Sequence, residues 1–121
     1  MTSIEDYVSS LNWAVTQHWQ QQGYRQEQPV IAVDPGTKPG SKYIRVVRTE
    51  GGVPRSLHSW VERATGKIAG GSYKAPAKGT GAATKGQLLS RYTLETAIPA
   101  ISESPTAWVH GSPYYSSGGA A

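Results

Sequence analysis

The sequence of 121 residues contains no cysteine. That absence excludes disulfide bonds, thiol nucleophiles and thiolate metal sites together. No apolar run is long enough to cross a membrane, and the N-terminal segment carries Glu5 and Asp6 where a signal peptide would be basic. We therefore expect a soluble protein of a reducing compartment, with no membrane partner.

Signatures of catalysis and of cofactor binding are missing as well. The three histidines are not paired at metal-ligand spacing, and the basic half of the chain holds no paired carboxylates. A phosphate loop that started at Gly79 would need glycine where Thr84 stands and a hydroxyl residue where Gly86 stands. We therefore predict that the protein is not an enzyme and holds neither a cofactor nor a metal.

Charge is distributed unevenly along the chain. From Lys38 to Arg91 there are eleven basic residues and two acids, a net charge of +9, whereas the rest of the chain has one base and six acids. A segregated positive charge attracts polyanions such as DNA, RNA or an acidic protein surface. Basic side chains could also simply keep an exposed sheet in solution, and the sequence leaves both interpretations open.

The first segment has the pattern of an amphipathic helix. Apolar residues recur at spacings of three and four between Ile4 and Trp19, which is typical of a helix with one buried face. Thr2 or Ser3, followed by acids three positions later, predicts a capping box at its start. Gly23 is the predicted stop.

Four short segments then have the pattern of strands, at 30–33, 42–49, 56–62 and 67–73. They are separated by segments rich in glycine and proline, and turns of about four to five residues suit antiparallel hairpins. The predicted fold class is therefore α+β: an N-terminal amphipathic helix packed on a three- to four-stranded antiparallel β-meander, with a short second helix.

The second helix is predicted at 86–98, ending before Pro99. At this length we expect a single domain over 1–109, interrupted by a basic flexible arm at 72–86. The tyrosine-, serine- and glycine-rich segment 110–121 is predicted to be a disordered tail.

Alternation along the strands sorts the side chains onto two faces. One face is a candidate floor for the helix and carries Ile44, Val46, Leu57, Val61 and Ile68. The opposite face carries Tyr43, Arg45, Val47, His58 and Trp60. Aromatic rings beside arginine on an open sheet suit the stacking of unpaired bases, but the aromatic face could equally be the core face.

These patterns define a candidate nucleic-acid site. The predicted phosphate contacts are Arg45, Arg48, Arg55, Lys74, Lys78 and Lys85. The predicted stacking residues are Tyr43, Trp60 and Tyr73. The last lysines lie on an arm that would follow a phosphate backbone and order on contact, although a plain linker remains an alternative.

The segments "KYIRV", "SLHSWVERATGKI" and "YKAPAKG" together resemble a group of small proteins of tailed bacteriophages, mostly of unassigned function. The likeness covers residues 42–79. It implies a phage origin and a compact β-meander, with the protein in the host cytoplasm or the virion. This sequence departs from the group at Trp60, where phenylalanine is expected, and after Gly79, where an arginine-glycine pair is expected.

Two classes of function therefore remain as the main hypotheses. A third possibility is an enzyme without a recognisable motif. The leading hypothesis is a non-enzymatic phage protein that binds DNA or RNA through its basic meander and arm, largely independently of sequence. The alternative is a protein-interaction module, either a virion component or an inhibitor of a host protein. In that reading the acidic helix and the basic sheet would also allow a homo-oligomer.

Overall fold

The computed structural model describes residues 2–76 and 92–109. Helix α1 spans Ile4–Gln22, with Ser3 as its N-cap and a capping box completed by Asp6. It ends at Gly23, whose left-handed φ of 66° allows the backbone to turn away. The predicted helix and both of its ends are confirmed. In the described part of the chain, no helix has the length and apolarity needed to span a membrane.

The strands are β1 Val30–Val33, β2 Tyr43–Glu50, β3 Val53–Glu62 and β4 Ile68–Ala69. They form one antiparallel sheet in the order β1-β2-β3-β4, so the predicted α+β fold with a meander is confirmed. The turn between β2 and β3 is tighter than predicted: it is the pair Gly51 and Gly52, both with left-handed φ. Such a pair matches the twist of the flanking strands, so β3 begins earlier than the sequence indicated.

The second helix, α2, spans Leu94–Glu103. The prediction that it would end before Pro99 is wrong, because Pro99 lies inside it. Thr93 caps its first turn, and a 3₁₀ helix at Pro105–Trp108 follows. Proline fixes a helical φ, so it can be accommodated once packing holds the helix around it. The rest of the predicted second helix, 86–91, and the predicted tail, 110–121, lie outside the described residues.

The core lies between one face of the sheet and a helical layer of α1, α2 and the 3₁₀ helix. Strand residues Val46, Val61 and Ile68 are buried in it against Tyr7 and Leu11 of α1. Ile44 packs at its edge, so four of the five residues predicted for this face are confirmed. Since Val47 and Trp60 are buried but lie outside this cluster, the aromatic face is the one turned away from α1.

A β-bulge in β3 places Leu57 and His58 on the faces opposite to those predicted for them. Val46 pairs with Ser59, but Val47 pairs with Leu57, so His58 is the extra residue. An extra residue shifts the alternation by one position. His58 therefore lies on the helix side, and Leu57 lies beside Val47 on the opposite face, both contrary to the prediction.

The bulge builds a buried hydrogen-bond chain between the layers. His58 Nε2 donates to the carbonyl of Trp108 at 2.7 Å. When the ring is neutral, Ser59 Oγ donates to His58 Nδ1 at 3.0 Å and the Tyr7 hydroxyl donates to Ser59 Oγ at 2.8 Å. Burial raises the pKa of Tyr7, despite the opposing hydrogen bond to Ser59, which keeps the hydroxyl protonated as a donor.

Tyr7→Phe should lower the free energy of unfolding by about 1–2 kcal/mol, because Ser59 loses its buried donor while the ring packing is kept. Urea denaturation followed by circular dichroism measures the change. Tyr24→Phe is the control, because Tyr24 is exposed. An equal effect of both substitutions would contradict a contribution from the buried chain.

Candidate nucleic-acid interface

Arg45 is the centre of the sheet face turned away from α1. Its Nη1 lies 2.6 Å from Asp34 Oδ2, and its Nε donates to the carbonyl of Tyr73 at 2.8 Å. The guanidinium also lies over two rings, 4.8 Å from the centroid of Trp60 and 4.6 Å from that of Tyr73. We call Asp34, Arg45, Trp60 and Tyr73 the arginine cluster. It ties four separate segments of the chain together.

Asp34 is positioned by a turn that follows β1. Its Oδ1 accepts from the backbone N–H of Gly36 at 2.9 Å, and its carbonyl accepts from the N–H of Thr37 at 3.0 Å. Burial by itself would raise the pKa of Asp34, but the Gly36 N–H and the Arg45 guanidinium outweigh it and hold the pKa below its usual value. Asp34 is therefore ionised at neutral pH and offsets the charge of Arg45.

The segment after β4 folds back over this face. Trp60 Nε1 donates to the carbonyl of Ser72 at 3.0 Å, and the N–H of Ser72 bonds to the carbonyl of Ala75. Trp60 is only 5% exposed, whereas Tyr73 is 39% exposed. Of these two predicted stacking residues, Tyr73 therefore offers accessible ring surface, and Trp60 is a buried support under Arg45.

Of three other predicted site residues, two lie on the side of the arginine cluster and one lies on the helix side. Tyr43 is half-buried on the same face as Arg45, and Lys74 is exposed beside Tyr73. Arg48 lies on the helix side, where its guanidinium is 5.8 Å from the Trp19 ring.

Arg55 is exposed near the β2–β3 turn, away from the arginine cluster. Lys78 and Lys85 lie outside the described residues, as does the end of the predicted arm. The predicted phosphate contacts therefore do not form one patch within the described residues, because strand alternation puts Arg45 and Arg48 on opposite faces.

The loop between β1 and β2 was not predicted as part of the site, but it lies beside Arg45 on this face. A pocket of about 230 Å³ opens there, lined by Gly36, Thr37, Lys38, Ser41, Tyr43, Arg45 and Trp60. The available signal was Asp34 in the run Asp-Pro-Gly: an acid in a turn that leads into the basic region suits an arginine partner.

Within residues 2–76 and 92–109, no three histidine or acidic side chains are grouped so that they could hold a metal ion. Ser59 and His58 are at hydrogen-bond distance, as a nucleophile and its base would be. Both are buried, at 0% and 3% exposure, beneath the helical layer. The pair instead links β3 to α1 through Tyr7 and to the 3₁₀ helix through the Trp108 carbonyl.

Comparison with known proteins identifies a family for this chain. The model of a family described as "Family of unknown function (DUF7717)" matches residues 1–96, which include α1, the whole sheet and the arginine cluster. No curated protein matches the chain, and no solved structure matches it.

Proposed function

Since the chain belongs to the family of unknown function DUF7717, we propose from its own residues that it is a non-enzymatic phage protein that binds nucleic acid, largely independently of sequence. The phage origin and a location in the host cytoplasm rest on the resemblance of residues 42–79. The nucleic-acid activity is supported chiefly by one observation: the sheet face away from α1 joins exposed lysines, an exposed tyrosine and a pocket.

The lysines of this face supply the charge for phosphate contacts. Lys38 stands at the pocket and Lys74 follows Tyr73, and both are exposed. Lysine ammonium groups neutralise phosphates and release condensed counterions, which favours binding at low salt. Lys78 and Lys85 continue the same charge along the sequence and stay predictions for the arm.

Arg45 has a different role from the one that the sequence suggested. Its charge is already offset by Asp34 at 2.6 Å, and its side chain is only 21% exposed. We assign it to holding Tyr73 in place: it bonds the Tyr73 carbonyl and stacks against the ring. A fixed aromatic side chain loses little entropy when a base stacks on it.

The test is a fluorescence-anisotropy titration of the full chain with labelled single- and double-stranded DNA and RNA over a salt series. We expect micromolar or tighter binding that weakens linearly with log salt. The double variant Lys38→Ala with Lys74→Ala should reduce the salt slope by about 1.5, because each lost phosphate contact removes about 0.7–0.9.

Arg25→Ala is the control, since Arg25 is an exposed base beyond the C-terminal end of α1. Its slope should remain within about 0.3 of the parent value, because it lies in the loop after α1 and is not among the residues of the proposed face. Flat titrations of the parent protein at low salt would overturn the nucleic-acid proposal.

The second candidate function is a protein-interaction module, and one surface favours it. Trp13 of α1 is 44% exposed at the rim of a pocket of about 330 Å³, which Ile98 and Ile101 of α2 also line. An exposed tryptophan over an apolar pocket is typical of protein interfaces. Recovery of the protein from purified phage particles at a fixed copy number would favour this candidate.

A further inference from the structure

A groove between α1 and α2 lies at the surface of the helical layer. Its volume is about 330 Å³, and it is lined by Ser9, Ser10, Trp13, Ile98, Ile101 and Ser102. Ile101 is fully buried and forms the floor. An occupant therefore reaches the ring of Trp13, which is 44% exposed, and the half-buried side chain of Ile98. Since an apolar cavity of about 150 Å³ holds benzene, the groove has room for one bulky apolar side chain.

Carboxylates border one end of this groove. Glu5 and Asp6 lie one helical turn before the part of α1 that lines it, and Glu95 lies one turn before Ile98 on α2. The two helices begin side by side, because Thr2 and Glu95 line the same cleft. All three acids are exposed, and the ion pairs that the described residues form involve other carboxylates. This end of the groove is therefore negative.

The helical layer has no basic side chain that would balance these acids. With Glu103 as the fourth, α1, α2 and the 3₁₀ helix contain four acids and no lysine or arginine. An apolar surface beside charge of one sign favours partners of the opposite charge. The same negative field repels phosphates, so nucleic acid is directed to the sheet face and away from the groove.

The shape of the groove favours a helix over a small molecule. Small-molecule sites enclose most of their ligand and orient it through fixed polar groups. Here the polar side chains are serines, of which Ser9 and Ser102 are exposed. The space between two packed helices suits the side chains of a third, and amphipathic helices lay their apolar faces into such grooves.

We propose that this groove binds a basic amphipathic helix of a partner protein. One bulky apolar side chain of that helix lies against Trp13 and Ile98, and its lysine or arginine side chains face Glu5, Asp6 and Glu95. The inference rests on the second candidate function and makes its partner specific. It is independent of nucleic-acid binding, since the groove and the arginine cluster lie on opposite sides of the core.

The probe is a synthetic peptide of about 18 residues, long enough to form a helix, with leucine along one face and lysine on its flanks. Two matched peptides separate these chemistries: one has glutamate in place of each lysine, and the other has alanine in place of each leucine. Fluorescence-anisotropy titration of the full chain should give micromolar binding of the first peptide and at least about tenfold weaker binding of the others. Similar binding of all three peptides would overturn the proposal.

Trp13→Ala should weaken binding of the leucine–lysine peptide at least about tenfold, because central aromatic side chains contribute most of the binding energy of an interface. Tyr24→Ala is the control: Tyr24 is 42% exposed but lies beyond the C-terminal end of α1 and does not line the groove. Both variants should bind oligonucleotides as the parent does. Unchanged peptide binding in Trp13→Ala would overturn the groove assignment and leave the nucleic-acid proposal standing.

The double variant Glu5→Gln with Glu95→Gln removes two of the carboxylates and keeps Asp6, which closes the capping box of α1. We expect peptide affinity at low salt to fall about fivefold and to depend less on salt. Glu27→Gln with Glu50→Gln is the matched control, because it changes the net charge equally at exposed positions outside the helical layer. Equal losses in both double variants would show that only the total charge matters and would overturn the role of these carboxylates.

A second copy of the chain is the competing occupant. Sedimentation equilibrium should give the same mass for the parent and for Trp13→Ala. A parent dimer that Trp13→Ala dissociates would assign the groove to a second copy and overturn the assignment to a basic helix. If the protein is recovered from phage particles but does not bind the leucine–lysine peptide, the second candidate function is supported and the groove assignment is overturned.

Discussion

Replacing Arg45 by methionine should lower the free energy of unfolding by about 3 kcal/mol at pH 7. The substitution keeps a long side chain but leaves Asp34 buried, at 9% side-chain exposure, without its cation. Removing one partner of a fully buried ion pair costs about 3–5 kcal/mol, and the partial exposure of Arg45 places this pair at the lower end. Urea denaturation at pH 7 measures the loss.

The loss should depend on pH in a defined direction. The pKa of Asp34 in the folded protein lies below its usual value, so the ion pair stabilises the fold above about pH 4. As the pH falls through the folded pKa, the carboxylate is protonated and that contribution is lost. The parent protein and Arg45→Met should therefore approach each other in stability as the pH falls through the folded pKa of Asp34, apart from the lost stacking.

Lys42→Met is the matched control, at the position immediately before the same strand. Lys42 lies 3.9 Å from Glu62, but its side chain is 73% exposed, so water screens the pair. Such pairs contribute about 0–1 kcal/mol. A loss in Arg45→Met that stays equally large at every pH over which the parent remains folded, from pH 7 down through the acid range, would show that stacking on Trp60 and Tyr73, and not the ion pair, stabilises the cluster.

Trp108→Ala should have the largest effect, a loss of about 3–5 kcal/mol. Trp108 is 1% exposed, and its ring meets Tyr92 edge-on at 5.0 Å and Tyr7 edge-on at 6.5 Å between centroids. Removing the indole leaves a large cavity between α1 and the 3₁₀ helix and frees the backbone that accepts from His58. For a domain of this size, thermal denaturation should show a Tm lowered by at least 10 °C.

Trp13→Ala provides the comparison, because Trp13 is a tryptophan of α1 that is 44% exposed. We expect it to change the free energy of unfolding by less than about 1 kcal/mol. If both alanine variants lose similar stability, the 3₁₀ helix is not a fixed part of the core. Both residues lie on the helical layer, so the folded fraction of either variant should bind oligonucleotides as the parent does.

The helix and the strands could be predicted because their signals are local. The Ser3 cap, the apolar stripe of α1 and the Gly23 stop lie within one helix, and each acts on the backbone next to it. The strand at 30–33 was predicted with the bounds that β1 has. Alternation in β2 also put Ile44 and Val46 on the correct face, because no bulge interrupts the period before Val46.

The candidate site was predicted only in part, because its assembly depends on contacts between distant segments. Asp34 and Tyr73 flank Arg45 from positions 11 and 28 residues away in sequence. Nothing in the local pattern of β2 indicates either contact. The sequence therefore predicted a free phosphate contact at Arg45, where the structure has a partly buried ion pair that supports Tyr73.

The sequence by itself determined the fold class, the long first helix, the β-meander and the concentration of positive charge between Lys38 and Arg91. Only the tertiary structure decided which side chains share a surface. One extra residue at His58 moved that ring to the core side, and ion pairing removed Arg45 from the exposed charges. Both outcomes follow from register and long-range electrostatics, which depend on the whole folded chain and leave no local pattern in the sequence.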